Sequence, residues 1–271
     1  MNHHRSGRGE PLVLIHGVGH HWQGWRPVIE RLEGEFDVIA PDSPGFGRTP
    51  PLPAGVAPAI GAYVDAFQAF LAELGLERPH VAGNSMGGGI ALELARRGAV
   101  RSVTAISPVG FWTRAEQRYT SLTLGALTQL PGPLQAVLLR AAGSARARTV
   151  LMAQLFRWPS RMPAEEARSM LRDSFAAPAM AGALREFGAY RFERGEELRG
   201  TPVTVAWGRY DRLLIYGRQA PRARAALPWA RHVTLGAGHT PFFDDPGQVA
   251  GTIRAGAAAG ARTRFRRGAA V

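Results

Sequence analysis

The chain is 271 residues long, 45% hydrophobic and 20% charged, with a formal net charge of +12 and no cysteine. That length supports one substantial core in a single domain, and the missing thiols exclude disulfides, cysteine zinc sites and a cysteine nucleophile. All 33 basic residues are Arg, and their excess is one-sided: residues 1–120 hold 11 Arg and 11 acids, residues 121–271 hold 22 Arg and 10 acids, a difference of 12. A cationic half suits nucleic acid or an anionic membrane surface. The arginines are not interleaved with stacking aromatics, however, which favours scattered Arg on solvated helices and no nucleic-acid partner.

In chain order, residues 11–17 (PLVLIHG) read as a strand. This apolar run is short and lacks a small-residue cleavage site, so it is read as buried structure rather than a signal peptide. No run approaches the roughly 18 apolar residues of a membrane span, and a cytoplasmic protein is the expectation. Residues 25–32 predict a helix and 36–42 (FDVIAPD) a second strand. A Pro-rich loop (49–58) leads to an amphipathic helix over 60–74, ended at Gly75. Residues 78–85 (RPHVAGNS) predict the third strand, 86–98 a helix closed by Gly98, and 100–108 the fourth strand. Strands at 201–208 and 230–238 follow, each trailed by a helical stretch. The alternation predicts a mostly parallel, doubly wound sheet, with strands apolar throughout because both faces are covered. Residues 111–199 show no strand; prolines 131, 133, 159, 163 and 178 mark helix boundaries, which predicts a helical insertion over one end of the sheet. The arginine-rich tail, 261–271, is expected to fray. No internal repeat is present.

The chemistry centres on Gly83-Asn84-Ser85-Met86-Gly87, a G-x-S-x-G run between a strand and a helix. That context suits a serine on a sharp turn that lifts its hydroxyl above the sheet, with flanking glycines where a Cβ would clash. A serine hydroxyl needs a base. Of eight histidines, His239 follows a strand at its carboxyl end, where parallel sheets gather functional groups. His80 and His232 sit at the opposite ends of their strands, and His3 and His4 lie in the N-terminal segment. Asp211, in WGRYDR, also follows a carboxyl end and is the acid that would hold the histidine. Asp244 and Asp245 are too near His239 and read as helix-start residues before Pro246, and Asp42 reads as a loop organiser. Oxyanion donors are expected from the N–H groups of Met86 and Val18. His16 is read as structuring its loop, and His20 and His21 as bystanders at the mouth. These histidines lack a carboxylate cluster, so no metal is expected.

Five segments then resemble the α/β-hydrolase superfamily: HGVG (16–19), DSPGFGRT (42–49), GNSMGG (83–88), GRYD (208–211) and GAGHTPFFDDP (236–246). They are most similar to its lid-bearing branch of esterases, cofactor-free haloperoxidases, lactonases and carbon–carbon bond hydrolases. The resemblance implies a core at 1–111 and 196–271, a helical lid at about 112–195, an acyl or alcohol pocket beneath it, and no cofactor. Serine at the nucleophile position argues against dehalogenases and epoxide hydrolases, which carry Asp there. Family members usually carry two short antiparallel strands before the HG loop. Fifteen residues precede His16 here, which implies a sheet short by its first edge strand or a start placed late. Such an open edge keeps a homodimer among the expectations.

Trp22, Trp25, Phe111, Trp112, Leu213, Leu214 and Phe242 cluster near strand ends and are expected to line an apolar substrate pocket. The leading expectation is hydrolysis of a carboxylic ester of an apolar small molecule through an acyl-enzyme. The same triad also suits carbon–carbon cleavage, lactone opening or perhydrolysis, and a hydrolase-like domain can serve as a non-catalytic ligand receptor.

Overall fold

The computed structural model describes the backbone of residues 1–268 and the side chains of residues 1–260. Among these, the strands are β1 (His3–Ser6), β2 (Glu10–Ile15), β3 (Phe36–Pro41), β4 (His80–Asn84), β5 (Ser102–Ile106), β6 (Val203–Gly208) and β7 (Arg231–Leu235). They form one sheet in the order β1-β3-β2-β4-β5-β6-β7. All neighbours pair in parallel except β1, which lies antiparallel on β3 with His3 opposite Pro41. The six strands expected from apolar runs are all present. β1, at one edge of the sheet, is its single antiparallel strand.

Side chains alternate across the sheet, and each face buries its own set. Leu12, Leu14, Val38, Ala82 and Ile106 pack on the face covered by α1 (Arg26–Leu32) and α10 (Pro246–Gly268). Val13, Ile15, Ile39, Val81 and Val103 pack on the other, against α2 (Ile60–Glu73) and α3 (Met86–Arg96). Both faces are therefore apolar, which is why the strands lack polar alternation in sequence. Helix α10 starts as read: Pro246 opens it and the Asp245 carboxylate accepts from Gln248 N–H at 2.8 Å. Its backbone runs to Gly268; the side chains of the arginine-rich tail, and residues 269–271 entirely, lie outside the described residues.

Between β5 and β6 the chain forms α4 (Arg114–Thr128), α5 (Gly132–Ala141), α6 (Ala145–Leu151), α7 (Ala164–Ala176) and α8 (Met180–Glu186). Helix α4 starts on a capping box, with Thr113 and Glu116 bonding each other's backbone N–H. The segment has a small core of its own, including Met152, Phe156, Met162, Met170 and Leu171. One last crossover helix, α9 (Tyr216–Ala226), connects β6 to β7.

Candidate active site

Ser85 sits between β4 and α3 with φ 58° and ψ −114°, a conformation L-residues rarely adopt. The flanking glycines make this turn possible. A Cβ on Gly83 would lie 2.1 Å from the Gly87 carbonyl oxygen, and one on Gly87 would lie 2.2 Å from the Ile15 carbonyl oxygen. The turn thus drives the start of α3 tightly between strands and places the helix N-terminus beside the serine, where its dipole favours negative charge.

His239 and Asp211 meet across the ends of β7 and β6. His239 Nδ1 lies 2.8 Å from Asp211 Oδ2, and both side chains are buried. The other carboxylate oxygen, Oδ1, accepts the N–H groups of Leu213 (3.0 Å) and Leu214 (2.8 Å). Asp211 is therefore clamped on one side and aimed at the imidazole on the other, the arrangement that keeps the Nδ1 proton in place and Nε2 free to accept. Asn84 adds a link the sequence reading missed. Its Nδ2 donates to the carbonyls of Ile106 (3.1 Å) and His239 (3.0 Å), tying the serine turn to the histidine loop. The signal was the residue type at a motif position that accepts any residue, so only the fold reveals its partner.

Ser85, His239 and Val18 line a common cavity. The N–H of Val18, and that of Met86 at the first position of α3, donate to no protein acceptor among the described residues. Both are thus available as oxyanion donors. The Met86 side chain is buried in the core beneath.

Loop 16–21 is held from several directions. His16 accepts from Ser43 N–H at Nε2 (2.8 Å), leaving Nδ1 to donate to Gly17 O (2.7 Å); burial depresses its pKa to about 4, so it is a neutral structural group, as read. Asp42 accepts from Trp22 N–H, Arg48 N–H and Asn2 Nδ2, which bears out the loop organiser. His20 and His21 are more than bystanders. His20 lines the cavity, and burial, with His21, His16 and His239 nearby, pushes its pKa down to about 3. His21 Nε2 lies 2.5 Å from Asp173 Oδ2 on α7, and Ser174 Oγ donates to Gly19 O at 2.9 Å. Burial disfavours charge on both partners, yet their hydrogen-bonded attraction wins: the His21 pKa is raised and the Asp173 pKa lowered. Asp244 departs from the helix-start reading. Its carboxylate accepts from Arg157, Trp158 and Gly238 N–H, strapping the segment after α6 to the histidine loop.

The expected pocket residues are largely elsewhere. Leu213 lines the cavity. Trp25 and Phe242 stack with centroids 3.9 Å apart in the core under α1 and α10, a contact of about 0.5–1.5 kcal/mol beyond area burial. Trp22 stacks on His4 at 4.5 Å. Phe111 packs against Phe192 and Trp207, Trp112 donates Nε1 to the Tyr190 carbonyl, and Leu214 is sealed in the same core. Large rings near strand ends were thus used to fill the two sheet faces. The cavity wall is instead aliphatic and comes from the helices after β5: Leu124, Leu127, Leu151, Met152, Leu155 and Met170 face the serine.

The comparisons with known proteins agree with this geometry. Residues 10–246 match the family model of the alpha/beta hydrolase fold. The chain belongs to this family. Within it, an uncharacterised protein of Mycobacterium tuberculosis is 30% identical over 261 residues, covering 89% of this chain and 73% of that protein. A 2-hydroxymuconate semialdehyde hydrolase of a Pseudomonas species is 43% identical over 99 residues, 35% of each chain. Among solved structures, a thermophilic esterase from Thermogutta terrifontis superposes with a TM-score of 0.72 at 23% identity, covering 93% of this chain and 91% of that one. The chain is thus a hydrolase-family member whose fold this esterase shares.

Proposed function

We propose that this hydrolase cleaves a carboxylic ester of a mainly apolar molecule through an acyl-enzyme on Ser85. The observation that carries the reading is the buried 2.8 Å contact of His239 Nδ1 with a doubly clamped Asp211, at a cavity shared with Ser85. His239 Nε2 takes the proton of Ser85 Oγ as that oxygen attacks the carbonyl carbon. The carbonyl oxygen gathers negative charge between the N–H groups of Val18 and Met86, backed by the α3 dipole. As the tetrahedral carbon collapses, His239 returns the proton to the leaving alkoxide and the alcohol departs. Water then attacks the acyl-enzyme with His239 again as base, which restores Ser85. Asp211 stays ionised and stabilises the imidazolium. The helices of residues 112–195 act as a lid whose aliphatic wall accepts the acyl chain.

A second reading, carbon–carbon hydrolysis, is favoured by the 43% identity to the semialdehyde hydrolase over 99 residues. One experiment separates the readings. p-Nitrophenyl esters of increasing acyl length are turned over by the protein and not by Ser85→Ala. Ester turnover that survives in Ser85→Ala, or Ser85 left unlabelled by a fluorophosphonate, overturns the serine mechanism. Labelling without ester turnover transfers the proposal to the carbon–carbon bond.

A further inference from the structure

Exposed apolar side chains are not spread evenly over this protein. Nine large ones are exposed among the described residues, and seven fall between Tyr119 and Trp158, on α4 to α6 and the segment after them. Val150 is 78% exposed, Leu122 72% and Val137 53%. Helix α5 buries no residue at all, and presents Leu134 and Val137, three apart on one face, to solvent. The helix packs on the insertion's small core only through partly buried residues such as Leu139, which leaves the Leu134–Val137 face uncovered.

The same stretch is cationic without compensation. Between Glu116 and Glu165 there are six Arg and no acid. Arg148 is buried and spends its guanidinium on carbonyls of its own segment. Among the described residues Arg118, Arg140, Arg146, Arg157 and Arg161 form no ion pair with a carboxylate, and Arg157 gives one guanidinium N–H to the Gly236 carbonyl at 2.8 Å. Arg157 lies over the rings of Trp158 (4.7 Å) and Tyr210 (4.0 Å), and Arg161 over Trp158 (4.8 Å). Gln154 bonds both Tyr119 and Thr123, which joins α4 to the end of α6. Apolar tips, rings and guanidinium groups without a carboxylate partner therefore lie along one stretch of chain. That stretch meets the cavity at Leu151, which both lines it and is exposed.

We propose that this face docks on an anionic lipid surface, from which amphiphilic esters enter the cavity through the Leu151 edge. Exposed leucine and valine at the acyl boundary, with arginine among the headgroups, is the composition of an interfacial helix. A second copy is the poorer occupant, because a two-fold contact would set the same uncompensated arginines against one another. Nucleic acid would use the charge but leave the aliphatic tips in water. No single helix among the described residues is long and apolar enough to cross a membrane, while α4 and α5 together, bent by 97° at their junction, match a broken span in length and composition. The substrate class rests on the ester-hydrolase reading; the docking does not.

The test uses the full chain as Ser85→Ala, so that lipid is not consumed, with vesicles of phosphatidylcholine alone or mixed with phosphatidylglycerol. The expected result is co-sedimentation with the anionic vesicles, weakening as salt rises. Val137→Asn with Val150→Asn should lower vesicle partitioning at least tenfold. In the Ser85 background the same pair, which lies outside the cavity lining, should leave turnover of a soluble short-chain ester unchanged. Absence of vesicle binding, binding unaffected by the double Asn variant, or a lipid-free dimer that the variant dissolves would each overturn the proposal. Vesicle binding with no ester turnover by the Ser85 protein would reject the ester-hydrolase reading and leave the docking in place.

Discussion

Replacing Asp211 with Asn separates the electrostatic work of this residue from its structural work. The Asn side chain can keep its oxygen on the N–H groups of Leu213 and Leu214, now 3.0 and 2.8 Å from Oδ1. Its amide NH2 then replaces the oxygen that lies 2.8 Å from His239 Nδ1. Two donors cannot face each other, so the imidazole must carry its proton on Nε2, where Ser85 needs an acceptor. The tautomer is wrong and the imidazolium loses its counter-charge. Serine proteases with this change lose about 10⁴ in turnover, which at about 1.36 kcal/mol per tenfold is about 5 kcal/mol of transition-state stabilisation. Stability should change little in Asp211→Asn. Asp211→Ala should behave differently, because it orphans two buried N–H groups at about 1–3 kcal/mol each. Steady-state turnover of a p-nitrophenyl ester, beside thermal unfolding of both variants, makes the comparison. Asp211→Asn with turnover within tenfold of the parent protein, or as unstable as Asp211→Ala, would refute this account.

The His21–Asp173 contact gives a pH prediction. The folded His21 pKa lies above its ordinary 6.5, so its contribution is complete below that pH and is lost as pH rises through the raised value. The folded Asp173 pKa lies below its ordinary 3.8, so its contribution is present above that pH and is lost as pH falls through the depressed value. Thermal unfolding followed across pH should show a stability difference between the parent and Asp173→Asn that is greatest in the mildly acidic window between these limits; a difference independent of pH would sink it. Leu127→Trp, on the cavity wall, should shorten the preferred acyl chain and cut kcat/KM for longer esters about tenfold to a hundredfold, the worth of a methylene or two of lost pocket. Kinetics on an ester series reads this directly, and an unchanged chain-length profile would place the acyl chain elsewhere.

What could be read from the sequence divides along a physical line. The gathering of Ser85, Asp211 and His239 at the ends of β4, β6 and β7 was legible because a parallel sheet collects such residues at one end. Gly83 and Gly87 were legible because tight turns exclude a Cβ. The pocket was not. Trp25, Phe242, Phe111 and Trp112 lie close in sequence to strand ends, but which way such a ring turns depends on the space left between a sheet and helices contributed from far along the chain. Trp25 and Phe242 are 217 residues apart, 242 − 25, and fill one gap together. The aliphatic wall was hidden for the converse reason. Leu124 and Leu127 sit on an amphipathic helix that, by pattern alone, would be credited with ordinary core packing.

The arginine excess shows why composition misled where position did not. Counted over residues 121–271, the charge reads as background bias. Placed on the fold, the stretch between Glu116 and Glu165 stands out, with six Arg and no acid. Arg168 and Arg172 on α7, like Arg194 near the end of the insertion, find Glu165 or Glu197. Among the described residues those on α4 to α6 find none, and the same helices expose Leu122, Leu134, Val137, Val150 and Leu151. Leu151, which is exposed on this stretch and also lines the cavity, is where the proposed lipid contact would meet the proposed ester chemistry of Ser85, His239 and Asp211.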